Sequence, residues 1–326
     1  MSRRALVLSG GGAKGSFEIG ALEELIEQRG LDFEILCGIS VGALNAAFLA
    51  QAAFESGDYA KSLVNLKEAF GNLRTLWLEE IKGNDSVYKK RALQEGGIVL
   101  GADSIYDPAP LEELLERHLN PDAVKKSKRI LRIQYVSLET GNLPTAKTGS
   151  ENLAKYVLAS ATMPYFFPPV IINDNHLVDG GVRDITPLGQ AFDADADEIY
   201  VIYASPFGVP RQSFKDDILG VKVNAFHYLA RAVGIMVDEI YRTDIEGALS
   251  FNAIKKNWEK VKGLLPSSNS SVRELNKVLE DIKHAPIIEI KPERHIIKDA
   301  LDFSPEGIRK SYRHGKAVAK RVMDSI

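Results

Sequence analysis

The chain has 326 residues, of which 45% are apolar and 26% charged, a balance that suits a folded globular protein and excludes disorder as the main state. Lysine plus arginine number 41 against 44 for aspartate plus glutamate, so the net charge of −3 gives no electrostatic case for nucleic acid. The single cysteine, Cys37, excludes an internal disulfide and a zinc cluster of cysteines, and it suits a reducing compartment.

In chain order, Ala5 to Leu8 reads as a short buried strand stopped by Ser9 and three glycines. Phe17 to Arg29 has helical spacing, with Phe17, Ala21, Leu22, Leu25 and Ile26 on one face and Glu18, Glu23, Glu24 and Glu27 on the other. Gly30 ends it, Phe33 to Cys37 reads as a second buried strand, and Val41 to Phe54 as a buried helix. Such alternation predicts an α/β fold with a parallel sheet and helices on its faces. The longest apolar run, Ala43 to Ala53, is broken by Asn45 and Gln51 and falls far short of the roughly 20 residues of a bilayer span. The first residues lack the long apolar stretch of a secretory signal, so a cytoplasmic protein is expected.

Residues 56–105 fit the alternation poorly and read as an insertion, helical over Leu63 to Leu78 and loop-like from Gly83 to Asp107. Pro110 opens a helix to Leu119, Arg129 to Leu138 reads as a strand with residues 143–147 pairing back, and Asn152 to Ala161 as a helix. Ile199 to Ala204 reads as another buried strand. Residues 205–284 read as a helical insertion, with the Pro266 to Ser271 tract as a loop. Ile287 to Ile290 is a last strand, and Pro305 to Met323 a closing helix.

Three segments carry chemistry. Gly10-Gly11-Gly12-Ala13-Lys14-Gly15 follows a strand and opens a helix, which makes it a ready anion site of backbone amides at a helix N-terminus. Its Gly10-x-Gly12-x-x-Gly15 spacing also fits a dinucleotide fingerprint. The confirming acid is misplaced, because Asp32 and Glu34 start the next strand while Cys37-Gly38 ends it. Gly38-Ile39-Ser40-Val41-Gly42 lies between an apolar strand and an apolar helix, the setting of a nucleophile elbow. A plain turn capping a helix is the other reading. Leu177-Val178-Asp179-Gly180-Gly181 places a carboxylate before two glycines that admit close neighbours, and a hairpin turn is the alternative there. A serine needs a base. None of His118, His176, His227, His284, His295 and His314 has the framing of a triad histidine, and His176 is the best of them because it lies just before Asp179.

With the three segments in this order, the sequence resembles the patatin-like phospholipase family: a glycine oxyanion loop with Lys or Arg, a Gly-x-Ser-x-Gly elbow and an Asp-Gly-Gly. The run Ala159-Ser160-Ala161-Thr162-Met163-Pro164-Tyr165-Phe166-Phe167-Pro168-Pro169 resembles a fourth family segment, and Asp302-Phe303-Ser304 with its helix also fits. Lys14 stands where many members carry Arg. The resemblance covers about residues 4–55 and 105–205 plus the last helix.

It implies one patatin-type domain over residues 1–326, a three-layer sandwich around a mainly parallel central sheet with helical insertions. It also implies a Ser-Asp dyad without histidine, Ser40 the nucleophile and Asp179 the base. Amides of Gly10, Gly11 and Gly12, with Lys14 and Gly15 in the same loop and Val41 assisting, would hold the oxyanion. Gly38, Gly42, Gly180 and Gly181 would support elbow and dyad. No metal or cofactor is expected. The implied activity is acyl-ester hydrolysis of phospholipids or lysophospholipids through an acyl-enzyme. The rivals are a small-ester or acylglycerol esterase, a nucleotide-binding protein and a catalytically silent lipid-binding scaffold.

Three features bear on lipid. Phe226, Leu229, Val233, Val237, Ile240 and Tyr241 form a helical stripe in the 205–284 insertion, as a lid or acyl-chain wall or as an ordinary packed helix. The last helix carries Arg309, Lys310, Arg313, Lys316, Lys320 and Arg321 opposite Ile308, Tyr312, Ala319 and Val322, which suits either peripheral contact with a membrane or a solvated face over a core helix. Lys125-Lys126-Ser127-Lys128-Arg129 is a basic loop open to the same two readings.

Overall fold

β-Branched and leucine-rich runs bounded by glycine form the strands, and amphipathic segments between them form the helices. In the computed structural model, which describes residues 2–91, 103–206, 225–266, 269–279 and 284–326, the chain opens with β1 (Arg4–Leu8), α1 (Ser16–Leu22), β2 (Ile35–Gly38), α2 (Val41–Leu49) and α3 (Tyr59–Thr75). There follow the short β3 (Lys89–Lys90) and β4 (Tyr106–Asp107), α4 (Ala109–His118), α5 (Pro121–Lys126), β5 (Ile130–Ser137), β6 (Thr145–Lys147) and α6 (Leu153–Ser160). The chain closes with β7 (Val170–Ile172), β8 (Asn175–Asp179), α7 (Leu188–Asp193), β9 (Glu198–Ile202), α8 (Ala225–Val261), α9 (Ser270–Leu279), β10 (Ile287–Ile290) and α10 (Pro305–Asp324). Parts of the two expected insertions, residues 92–102 in one and 207–224, 267–268 and 280–283 in the other, lie outside the described residues.

Among the described residues eight strands form one sheet in the order β10-β9-β1-β2-β5-β8-β7, with β6 also on β5, while β3 and β4 pair only with each other. The pairs from β10 to β5 are parallel, while β6, β7 and β8 run antiparallel to their neighbours. The sheet is therefore mixed and mostly parallel. Side chains alternate along each strand. Leu6, Leu8 and Leu36 enter the larger core with α1, α2, α3 and α10. Ala5, Val7, Ile35 and Cys37 enter a second core with α7 and Tyr241 and Ile245 of α8. Three layers result. The Cys37 thiol is fully buried, and burial pushes its pKa up to about 12, so it acts as an apolar filler.

The acidic side of the first helix departs from its sequence pattern. Glu18, Glu23 and Glu24 are all buried. For Glu23 the reason is α10, which crosses α1 so closely that a Cβ at Gly20 would strike the Tyr312 carbonyl, and one at Gly315 the Phe17 carbonyl. Glu23 is held there by Tyr312, Lys316 and Arg74, and Glu24 by Arg29 at 2.8 Å. The apolar side of α10, with Ile308 and Ala319 buried, is thus spent on the core and not on lipid. Its basic side is largely paired: Lys310 with Glu306, Lys320 with Asp324 and Arg321 with Glu293, at 2.6–2.7 Å.

Arg129 likewise leaves the basic loop for the interior. It is 1% exposed, pairs with Asp32 at 2.8 Å and donates to the carbonyls of Ala52 and Phe33. Removing one partner of such a buried pair leaves the other charge unbalanced. Arg129→Met is expected to lower unfolding free energy by about 3–5 kcal/mol in urea titration, and Arg129→Met with Asp32→Leu to recover most of it.

Candidate active site

The turn between β2 and α2 is forced by close packing. A Cβ on Gly38 would strike the Gly42 carbonyl, and one on Gly42 the Leu8 carbonyl, so only hydrogen fits at either place. Between them Ser40 adopts φ 54° and ψ −128°, a strained left-handed geometry for a residue with a side chain. Its N–H donates to the Ser160 hydroxyl at 3.0 Å, and Ser160 donates to the Gln134 carbonyl at 2.7 Å. The side chain is 8% exposed at the head of α2, where the helix dipole favours negative charge.

Asp179 ends β8 and is 1% exposed. Its backbone N–H donates to the Thr162 carbonyl at 3.1 Å, and its Oδ1 accepts from the Gly181 N–H at 2.7 Å. Gly180 passes the Gln134 carbonyl so closely that a Cβ there would come within 2.7 Å of it. Burial pushes the Asp179 carboxyl up to about 7, against smaller lowering by the Gly181 amide and by the nearby Ser40 hydroxyl. A carboxylate titrating there is a competent base at neutral pH.

Both residues line one cavity of about 270 Å³, with Gly10, Gly11, Gly12 and Lys14. Its far walls are apolar, including Phe48, Leu73, Trp77, Leu111, Leu114 and Phe166. Val237 and Tyr241 of the expected stripe also reach it, whereas the side chains of Phe226, Leu229 and Val233 lie outside the described residues.

Within the glycine loop, the amides have different hydrogen-bond partners. Gly10 N–H donates to the Ile185 carbonyl at 2.9 Å, so it is not available to an oxyanion. Lys14 N–H donates to the Gly11 carbonyl at 3.2 Å, and Ala13 N–H to the Ala300 carbonyl at 2.7 Å. Gly15 packs on Val41, whose side chain a Cβ would meet at 2.6 Å. Gly12 has φ +57°, and a Cβ there would strike the Ala300 carbonyl. Among the described residues, no hydrogen bond occupies the Gly11 or Gly12 amide. Gly11, Gly12 and Val41, the first residue of α2, line the cavity together with Ser40.

No described histidine lines the cavity. His176 sits on the surface, its Nδ1 2.7 Å from Glu139, and His118 pairs with Glu80 at 2.9 Å. Three residues went unremarked as site components. Ser160 and Thr162 hold the elbow and Asp179, and their signal was the Ala159–Pro169 segment, which carried no role by itself. Glu18, fully buried, accepts from Asn45 at 2.8 Å, and Asn45 accepts from the Trp77 indole at 2.9 Å. Burial raises the Glu18 carboxyl well above its ordinary range.

A patatin-like phospholipase family model matches residues 6–192. The lysophospholipase nte1 of Aspergillus terreus is 27% identical over 199 residues, which are 60% of this chain and 12% of that protein. Its counterpart in Coccidioides immitis is 26% identical over the same length, covering 60% and 11%. That of Mycosarcoma maydis is 22% identical over 258 residues, covering 79% and 12%. The chain thus spans only about an eighth of the length of these relatives. Among solved structures, VipD from Legionella pneumophila aligns with a TM-score of 0.43 and 14% identity over 99% of this chain and 67% of its own.

The raised Asp179 pKa has a consequence for stability. The folded state holds this proton up to about pH 7, whereas the unfolded chain releases it near the ordinary 3.8, so this residue's contribution falls as pH rises between the two. Asp179→Asn, which keeps the acceptor for Gly181 without the charge, is expected to melt above wild type at pH 8, by up to about 4 kcal/mol at about 1.4 kcal/mol per pKa unit. The gap is expected to close toward pH 4, read by calorimetry across pH.

Proposed function

The chain belongs to the patatin-like phospholipase family, and from that premise we propose that it hydrolyses carboxylic esters of phospholipids or lysophospholipids through a Ser40–Asp179 dyad. The observation that carries this reading is the buried Asp179 carboxylate, held near neutrality in pKa and lining the same apolar cavity as a serine on a strained elbow. The relatives named as lysophospholipases support the lipid class. The long apolar walls suit an acyl chain better than a small ester or a nucleotide.

The cycle is as follows. The Ser40 hydroxyl attacks the ester carbonyl while its proton passes to Asp179. The oxyanion of the tetrahedral intermediate is met by the Gly11 and Gly12 amides, with Val41 at the helix head. The C–O bond to the alcohol breaks, and the alcohol leaves with the proton from Asp179. Water then gives its proton to Asp179 and attacks the acyl carbon. Collapse frees the fatty acid and returns the proton to Ser40. The residues supply both proton transfer and charge stabilisation without a histidine.

A panel of diacyl phospholipids, lysophospholipids, monoacylglycerols and short esters, analysed by mass spectrometry, tests the reading. Wild type is expected to release fatty acid from the phospholipid classes and to react with a fluorophosphonate probe. Ser40→Ala is expected to lose the labelling and at least about 10³-fold in kcat. Probe labelling that survives Ser40→Ala would rule out this nucleophile. Because Asp179 acts as the ionised base, kcat/KM is expected to rise about tenfold per pH unit below about pH 7 and to level off above it. A profile flat through that range contradicts the assignment of the base.

A further inference from the structure

The cavity wall holds a buried hydroxyl that the cycle above does not use. Tyr241, on α8, is 2% exposed. Its hydroxyl donates to the Gly10 carbonyl at 2.7 Å and lies 2.5 Å from the Ser9 hydroxyl. The Ser9 oxygen accepts from the Ala204 N–H at 2.7 Å. Each hydroxyl has one proton. The Gly10 carbonyl lies 2.7 Å from the Tyr241 hydroxyl and 3.4 Å from the Ser9 hydroxyl, so Tyr241 is the donor at the shorter contact and Ser9 gives its own proton to Tyr241. The chain therefore runs in one direction: Ala204 N–H to Ser9, Ser9 to Tyr241, Tyr241 to the Gly10 carbonyl.

That carbonyl is one end of the peptide whose other end is the Gly11 N–H. The peptide is planar and trans, so the two groups point in opposite directions and turn together. Glycine on both sides leaves this peptide free to rotate unless something holds it. The neighbouring groups are already fixed: Gly10 N–H by Ile185, Ala13 N–H by Ala300, and the Gly11 carbonyl by Lys14. Tyr241 completes the set at the one carbonyl that governs the open amide. We propose that Tyr241 is a positioning residue that aims the Gly11 amide at the oxyanion, with Ser9 relaying polarisation from the backbone. A carbonyl polarised by a donor also makes its own peptide N–H a stronger donor. The helix region beyond residue 225 thereby reaches the chemistry through one hydroxyl. This role rests on the serine-hydrolase reading above.

The test uses the full chain and four variants: Tyr241→Phe, Ser9→Ala, Ser40→Ala and, as a control, Tyr203→Phe. Tyr203 is also a buried tyrosine of the second core, but its hydroxyl bonds Glu289 at 3.1 Å. Turnover of a lysophospholipid is measured with the binding of an alkyl trifluoromethyl ketone, which adds to the Ser40 oxygen and places an oxyanion in the donor set. Loss of a whole oxyanion donor costs about 10² to 10³ in rate. A donor that is present but badly aimed is expected to cost about 10- to 100-fold in kcat, with KM within about twofold and ketone affinity reduced in parallel. Ser9→Ala is expected to lose about threefold to tenfold in kcat by the same signature, and it serves if Tyr241→Phe does not fold. Tyr203→Phe is expected to keep wild-type kcat. Wild-type kcat in Tyr241→Phe, a kcat loss with unchanged ketone affinity, or an equal loss in Tyr203→Phe each overturns the proposal. If the wild type lacks ester turnover, or Ser40→Ala retains it, the hydrolase reading itself fails and this role falls with it.

Discussion

Two neighbouring parallel strands packed to the limit of backbone contact are the constraint on which this molecule depends. β1 and β2 end level, Leu8 opposite Gly38, so the loop after one and the turn after the other emerge at the same edge of the sheet. Gly42 then presses on the Leu8 carbonyl, and the position a Cβ of Gly10 would take lies 3.1 Å from the Ser40 Cβ. No side chain can be interposed. The donor loop and the serine are therefore neighbours because of strand register, before any interaction between them is counted.

The third component comes from a different direction. Asp179 arrives on β8, which runs antiparallel to β5, with Tyr135 opposite Asp179. Its electrostatics follow from how it is delivered. A carboxylate at the end of β8, beside the Ala159–Pro169 segment, is stripped of water, and the Gly181 amide does not fully replace it. The same burial that weakens the fold at high pH makes the group basic. Stability at high pH and proton affinity are set against each other at one residue.

Around this centre, long-range contacts assign functions that local pattern leaves undecided. A wheel of Phe17 to Arg29 shows an acidic face, but α10 lies over it and recruits Glu23 into a cluster with Tyr312, Lys316 and Arg74. The basic stripe on α10 suited a membrane surface, yet several of its cations face carboxylates of the same molecule. The stripe on α8 suggested an acyl wall, and Tyr241 does line the cavity, but its hydroxyl is engaged with the loop 231 residues away. Each shift has one cause: a face read as free in one helix is covered by an element distant in the chain.

By itself the sequence determined what is local. Short apolar runs stopped by glycine set the strands, glycines flanking Ser40 set the elbow, and the Gly10 to Gly15 run set a tight loop before the first helix. Those features depend on steric rules between residues a few positions apart, so they are visible in the order of residues. The tertiary structure decided which amides remain open, because Ile185 and Ala300 claim those of Gly10 and Ala13. It also decided the proton affinity of Asp179 and the partner of Tyr241. Desolvation and hydrogen-bond completion depend on what surrounds a group in space, and that is supplied by segments a hundred or more residues away in the chain.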